Sequence, residues 1–117
     1  MLEKVRTIIL FEEHFKEFMK ELDKDVRNKI NDVLYLIQVY PAIPAKFFKK
    51  IENVKGLFEI RIEFQSNIYR IFCCFDSGQL VILFNAFQKK TNKTPKNEIL
   101  LAEKLMKQYF QNKKQDK

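Results

Sequence analysis

A chain of 117 residues that is 46% hydrophobic, with twelve phenylalanines but two glycines and three prolines, makes one domain, 1–117. It can close a core without disulfide staples and leaves little room for disordered linkers. Lysine and arginine exceed aspartate and glutamate by 22 − 15 = +7, and residues 88–117 carry nine lysines against Glu98, Glu103 and Asp116, which points to an anionic partner or a basic tail. No apolar run approaches the roughly 18 residues of a bilayer span, no basic-apolar-small leader opens the chain, and the adjacent Cys73 and Cys74 would point to opposite faces of a strand. A soluble, reduced, cytoplasmic protein without a membrane partner is expected.

Lys4 to Phe11 (KVRTIILF) is rich in β-branched residues and predicts a first strand. Phe15, Phe18, Met19 and Leu22 then recur at helical spacing. Asp23 can cap a second helix whose stripe is Val26, Ile30, Val33, Leu34 and Ile37, and Pro41 and Pro44 end it. From Lys55 the period changes to two. Phe58, Ile60, Ile62 and Phe64 fall on one face of a strand at 57–64, and Glu59, Arg61 and Glu63 on the other. Gln65-Ser66-Asn67 is turn-like and a strand follows at 68–75. Asp76-Ser77-Gly78 makes a second turn into a strand at 80–87. Thr94 and Pro95 suit the start of a last helix that turns Ile99, Ala102, Leu105, Met106 and Tyr109 inward, while residues 111–117 (QNKKQDK) have no apolar face and read as a frayed basic tail. The expected architecture is α+β, in the order β-α-α-β-β-β-α, with an antiparallel sheet, an N-terminal helical hairpin and a C-terminal helix.

Register carries the main inference. A four-residue loop between the strands at 57–64 and 68–75 pairs Phe64 with Tyr69 and Glu63 with Arg70. Tyr69, Ile71, Cys73 and Phe75 then join the core side. An odd loop would instead bury Arg70 among apolar residues, where an unpaired guanidinium is very costly. The same pairing carried through Asp76-Ser77-Gly78-Gln79 places Asn85, Phe87 and Lys89 beside Glu59, Arg61, Glu63 and Arg70 on an open polar face. Cations with aromatics on one sheet face suit a phosphate backbone and unpaired bases. The bland alternative is a solvated face decorated with Glu63–Arg70 and Glu59–Arg61 ion pairs. His14 has no partner cluster and suits a surface helix, and no nucleophile set, metal-ligand spacing or glycine-rich phosphate loop is present.

Four motifs occur together: Glu59-Ile60-Arg61, Tyr69-Arg70-Ile71-Phe72, Phe87-Gln88-Lys89-Lys90-Thr91 and Thr94-Pro95. Their order and spacing across 55–109 resemble the RelE/ParE toxin superfamily, most of all its HigB-like, phage-derived branch. The resemblance implies the toxin of a type II toxin–antitoxin pair, an mRNA interferase that cuts the message in the ribosomal A site. The implied chemistry is attack of a ribose 2′-OH on the adjacent phosphate, with no cofactor and no metal. Carried over by position, Arg61 and Arg70 would clamp the phosphate, Lys89 or Lys90 would add charge or a proton, and Glu59 is the candidate base. Tyr69 or Phe87 would stack on a base; the register turns Tyr69 coreward and favours Phe87. Thr91, Lys93 and Lys96 would line the RNA path. The implied partner is a cognate antitoxin of helix-turn-helix, HigA-like type. Rival readings are a ParE-like poison of DNA gyrase and a non-catalytic nucleic-acid-binding module.

Overall fold

The computed structural model describes residues 2–115. Strand β1 (Thr7–Leu10) leads into α1 (His14–Lys20) and α2 (Lys24–Val39). A 3-10 turn at Ala45–Phe47 precedes β2 (Phe48–Lys50), followed by β3 (Phe58–Phe64), β4 (Asn67–Asp76), β5 (Leu80–Lys89) and α3 (Lys96–Gln115). The strands form one sheet in the order β1-β5-β4-β3-β2. Among the described residues no helix is long and apolar enough to cross a membrane.

The α+β class and the order of the long elements are as the sequence implies, with three differences. The sheet is mixed, because β1 runs parallel to β5, with Thr7 opposite Leu80 and Leu10 opposite Leu83. The central residues of β1, Ile8 and Ile9, are half-buried and pack on opposite sides of the sheet. Such a pattern does not encode the direction of its partner. The strand also starts at Thr7, because the backbone N–H groups of Val5 and Arg6 donate to the Gln38 carbonyl at the end of α2. Second, β2 pairs Phe48 with Ile60 and Lys49 with Glu59, a strand too short to show periodicity. Third, α3 continues through Gln115 where fraying was expected from 111. Lys113 Nζ lies 2.6 Å from Asp76 Oδ2, which anchors a last turn that has no apolar stripe. Residues 116–117 of that tail lie outside the described residues. Asp23 does occupy the position before α2, but its side chain makes no capping bond.

Two hydrophobic clusters sandwich the sheet. On one side α1 and α2 pack Phe15, Ile30, Val33 and Ile37 on Ile60, Ile62, Tyr69, Ile71, Cys73, Val81 and Leu83. On the other, α3 packs Ala102 and Leu105 on Leu57, Phe72, Cys74, Ile82, Phe84 and Phe87. The second face is therefore not an open one: α3 covers its lower half. Burial in these layers pushes the Cys74 thiol up to about 12 and raises that of Cys73 well above its ordinary range, so both stay protonated.

The connections decide which residues share a face. β3 and β4 are joined by two residues, Gln65 and Ser66, both at positive φ (50° and 69°), the geometry of a tight hairpin turn. Phe64 pairs with Asn67, Ile62 with Tyr69 and Arg61 with Arg70. The expected four-residue loop is thus corrected to two; its even length keeps every residue on the expected face but changes its neighbours. Between β4 and β5 the loop is Ser77-Gly78-Gln79, since Asp76 pairs with Leu80. That odd loop puts Ile82 on the α3 side. A bulge then sets Phe84 and Asn85 together opposite Phe72, because Ile71 pairs with Ala86 and Cys73 with Leu83. The extra residue reverses the parity, and Phe87 and Lys89 return to the α3 face.

Candidate nucleic-acid interface

Beyond the N-terminal start of α3 the second face presents charged rows. Lys49, Glu59 and Phe72 form one row, Arg61, Arg70 and Phe87 the next, and Glu63, Ile68 and Lys89 the last. Arg61 and Arg70 lie directly opposite each other, a pairing that repels. Glu59 resolves it. Its Oε2 is 3.4 Å from the Nε of Arg61 and 3.4 Å from the Nε of Arg70. One carboxylate is shared by two guanidiniums, so the cluster keeps one net positive charge.

Burial divides this cluster. Arg70 is only 2% exposed and Glu59 5%, whereas the Arg61 side chain is 35% exposed. Arg70 donates from Nη1 to its neighbour's carbonyl, Tyr69 O, at 3.1 Å. Its Nε is close enough to Glu59 for an ion pair but too poorly aligned for a hydrogen bond, and it has no other partner. Desolvation pulls the Arg70 pKa below its ordinary value, opposed by the charge of Glu59, with Arg61 pulling it further down. An arginine remains protonated even so. The result is a buried cation with one donor, Nε, left without a hydrogen-bond partner.

The structure corrects several expectations. Arg70 does not stand on an open face; the neighbouring strands and Phe87, directly opposite on β5, enclose it. Glu59 is buried between two cations, 3.4 Å from the Nε of each. Tyr69 is buried against Phe18 on the α1–α2 side, its ring edge-on at 6.4 Å, and has no surface for a nucleobase. Phe87 is buried and packs on Phe72 at 5.6 Å, so it floors the site instead of stacking in it. The expected Glu63–Arg70 pair is not among the ion pairs of the described residues. Glu63 is exposed.

Lys89 is half-buried on the last row, and Lys90, Thr91, Lys93 and Lys96 are exposed in the segment that leads into α3. That segment is shaped by Thr91, whose hydroxyl donates to the Lys93 carbonyl at 2.9 Å. Asn85 ties the start of α3 to the bulge, donating from Nδ2 to the Glu98 carbonyl and to Glu98 Oε1, each at 3.0 Å. The bulge therefore fixes where the lysine segment leaves the sheet. Sequence reasoning missed Lys49, which enters the Glu59 row only through β2, and passed over Glu63, the accessible carboxylate of this face. Alternation does place Glu63 there; only burial distinguishes it from Glu59. Among the described residues no group of three histidine, cysteine or acidic side chains could hold a metal ion.

The family described as "Phage derived protein Gp49-like" matches residues 17–107. The RelE–RelB complex of the archaeon Pyrococcus horikoshii OT3 has a chain of similar fold, at 13% identity and a TM-score of 0.54, covering 77% of this chain and 99% of that one. The likeness is one of fold, and the RelE-like fold that the sequence motifs implied is the fold this chain has. No curated protein matches the sequence.

Proposed function

For a chain that belongs to the Gp49-like family of phage-derived proteins and has the RelE fold, we propose the role of a toxin in a type II toxin–antitoxin pair, cutting mRNA in the ribosomal A site. The observation that carries this reading is the pairing of Arg61 at the solvent boundary with a buried, under-bonded Arg70 behind it, flanked by the lysines of 89–96. Clustered cations backed by low dielectric stabilise a phosphorane far better than isolated surface charges do.

In this mechanism Arg61 holds the scissile phosphate and Arg70 adds its field from beneath. Glu59 is a positioning residue that keeps both guanidiniums aimed. The 2′-OH gives its proton to Glu63, the exposed carboxylate of the last row, as its oxygen bonds to phosphorus. The P–O5′ bond then breaks, with Lys89 or Lys90 protonating the leaving oxygen and a 2′,3′-cyclic phosphate remaining. The protein works in the cytoplasm, where a cognate antitoxin of helix-turn-helix type, rich in carboxylates, neutralises the cationic end.

The test is a purified translation system with a defined message, with 5′ ends mapped with and without ribosomes. Cleavage should require ribosomes, and Arg61→Ala should lower its rate about 10²-fold or more, the usual effect of losing one transition-state donor. Intact message together with blocked DNA supercoiling would establish the ParE-like reading instead. Co-expression with the product of an adjacent small gene should restore growth.

A further inference from the structure

The Arg61 end of β3 opens around the edge of the sheet. β2 stops covering β3 at the Phe48–Ile60 pair, so the outer edge of β3 from Arg61 to Phe64 has no strand beside it. Edges left open in this way expose unpaired backbone groups, and proteins usually blunt them with charge. Here the edge borders a cleft of about 390 Å³ lined by Lys29 from α2, Lys46 and Phe47 from the 3-10 turn, and Arg61 and Glu63 from β3.

Three cations from three separate elements meet one carboxylate in this cleft. Lys29 and Lys46 make no ion pair among the described residues, and the charge of Arg61 is only partly met by Glu59, which Arg70 shares. The Lys46 ammonium sits over the Phe47 ring at 4.9 Å, a weak contact that holds the lysine over the cleft without neutralising it. A cavity that gathers like charges this way raises the local concentration of anions. It is also continuous with the proposed cleavage site through Arg61, which belongs to both.

We propose that this cleft is a second phosphate subsite, which takes the single-stranded RNA as it leaves Arg61 and passes over the open edge of β3 toward α2. Arg61 grips the scissile phosphate, and Lys29 and Lys46 grip the backbone of the neighbouring nucleotides. The proposal rests on the RNA-cutting reading but concerns residues that reading does not use. The lysines contact phosphate only, so they select for a polyanion and not for a base.

The experiment measures binding of a short fluorescein-labelled single-stranded RNA by anisotropy across a salt series, alongside ribosome-dependent cleavage. The proteins are the wild type, the double variant Lys29→Ala/Lys46→Ala, and a control, Lys24→Ala/Lys104→Ala, which removes the same charge from exposed positions elsewhere. Each phosphate contact on a single strand contributes about 0.7 to the slope of log K against log salt, so losing two should flatten it by about 1.4. The cleft variant should show that change and a raised KM with kcat retained; the control should show neither. If wild type binds and cuts RNA while the cleft variant matches it in slope and KM, the subsite is overturned and the cleavage reading stands. A flattened slope in a protein that cuts nothing would support the subsite and remove the nuclease. Wild type that neither binds nor cuts RNA would overturn both.

Discussion

Asp76 and Arg70 sit on the same face of β4, both buried, yet they are provided for in opposite ways. Asp76 accepts hydrogen bonds from Lys113 Nζ at 2.6 Å and Tyr109 Oη at 2.7 Å, with Ser77 Oγ near its other oxygen at 3.4 Å. Arg70 has one hydrogen bond, to a neighbouring carbonyl, and half of a shared carboxylate. The first arrangement ties α3 to the hairpin. The second leaves a charge whose field and donors are not used up within the fold. A buried ionic group that is fully satisfied serves structure, whereas one left with an unpaired donor is a candidate for function.

The largest effect that tests this contrast is on stability. Glu59→Ala would leave Arg70 buried without a counter-charge and should cost about 3–5 kcal/mol, read from urea unfolding. A loss below about 1 kcal/mol would mean that Arg70 reaches solvent and that the contrast is wrong. Asp76→Asn should cost about 1–3 kcal/mol, since it weakens two hydrogen bonds at once, and amide exchange should speed up in the last turns of α3 first. This centre is also pH-sensitive. The bonds from Lys113 and then Tyr109 hold the Asp76 carboxyl below its ordinary range. Its stabilisation is therefore complete above the unfolded value of about 3.9 and disappears as pH falls through the depressed folded value. The gap between wild type and Asp76→Asn should close in that acid range; a constant gap would mean that the charge of Asp76 contributes nothing. The same contact, with burial as the larger cause, pushes Tyr109 up to about 12.

These two centres were not equally legible in the sequence. Alternation in Phe58 to Phe64 placed Glu59, Arg61 and Glu63 on one face, because a two-residue period survives any even loop. It could not show that the loop is Gln65-Ser66, since neither residue advertises the positive φ that both adopt. Arg70 therefore gained Arg61 as its opposite neighbour instead of Glu63. In β5 two local events cancelled: the odd loop at Ser77–Gln79 and the bulge at Phe84–Asn85 each invert the faces, so Phe87 and Lys89 lie where a simple hairpin would put them. Burial of the cluster depended on where α3 and the neighbouring strands pack, which no local pattern carries. Lys113 belonged to a stretch that looked solvated because its partner, Asp76, is remote in sequence.

Smaller effects sharpen the picture. Lys113→Ala removes a side chain that is 46% exposed, and solvent screening limits its stabilisation to about 1 kcal/mol or less; a larger loss would show that the lysine, rather than Tyr109, anchors the helix. The smallest expected change is the most informative. Arg70→Met keeps much of the volume while Glu59 retains Arg61 as its partner, and replacing a buried ion by an apolar side chain is often close to neutral. Unfolding should move by about 1 kcal/mol or less while ribosome-dependent cleavage collapses. A variant that melts early but still cuts would assign Arg70 to structure and return the phosphate to Arg61 and the lysines alone.

The parallel pairing of β1 with β5 sets a timetable for synthesis. Thr7 is made well before its partner Leu80, which comes only after β3 and β4, so β1 must wait for β5 before it has a place in the sheet. Closing so long a loop is slow, because the entropy is lost before any contact is gained. The rows that carry Phe87 and Lys89 come from the same late strand. A growing chain that is still missing β5 therefore has neither a complete sheet nor the row that Lys89 closes, and the site is assembled only when the strand after Gly78 has been made.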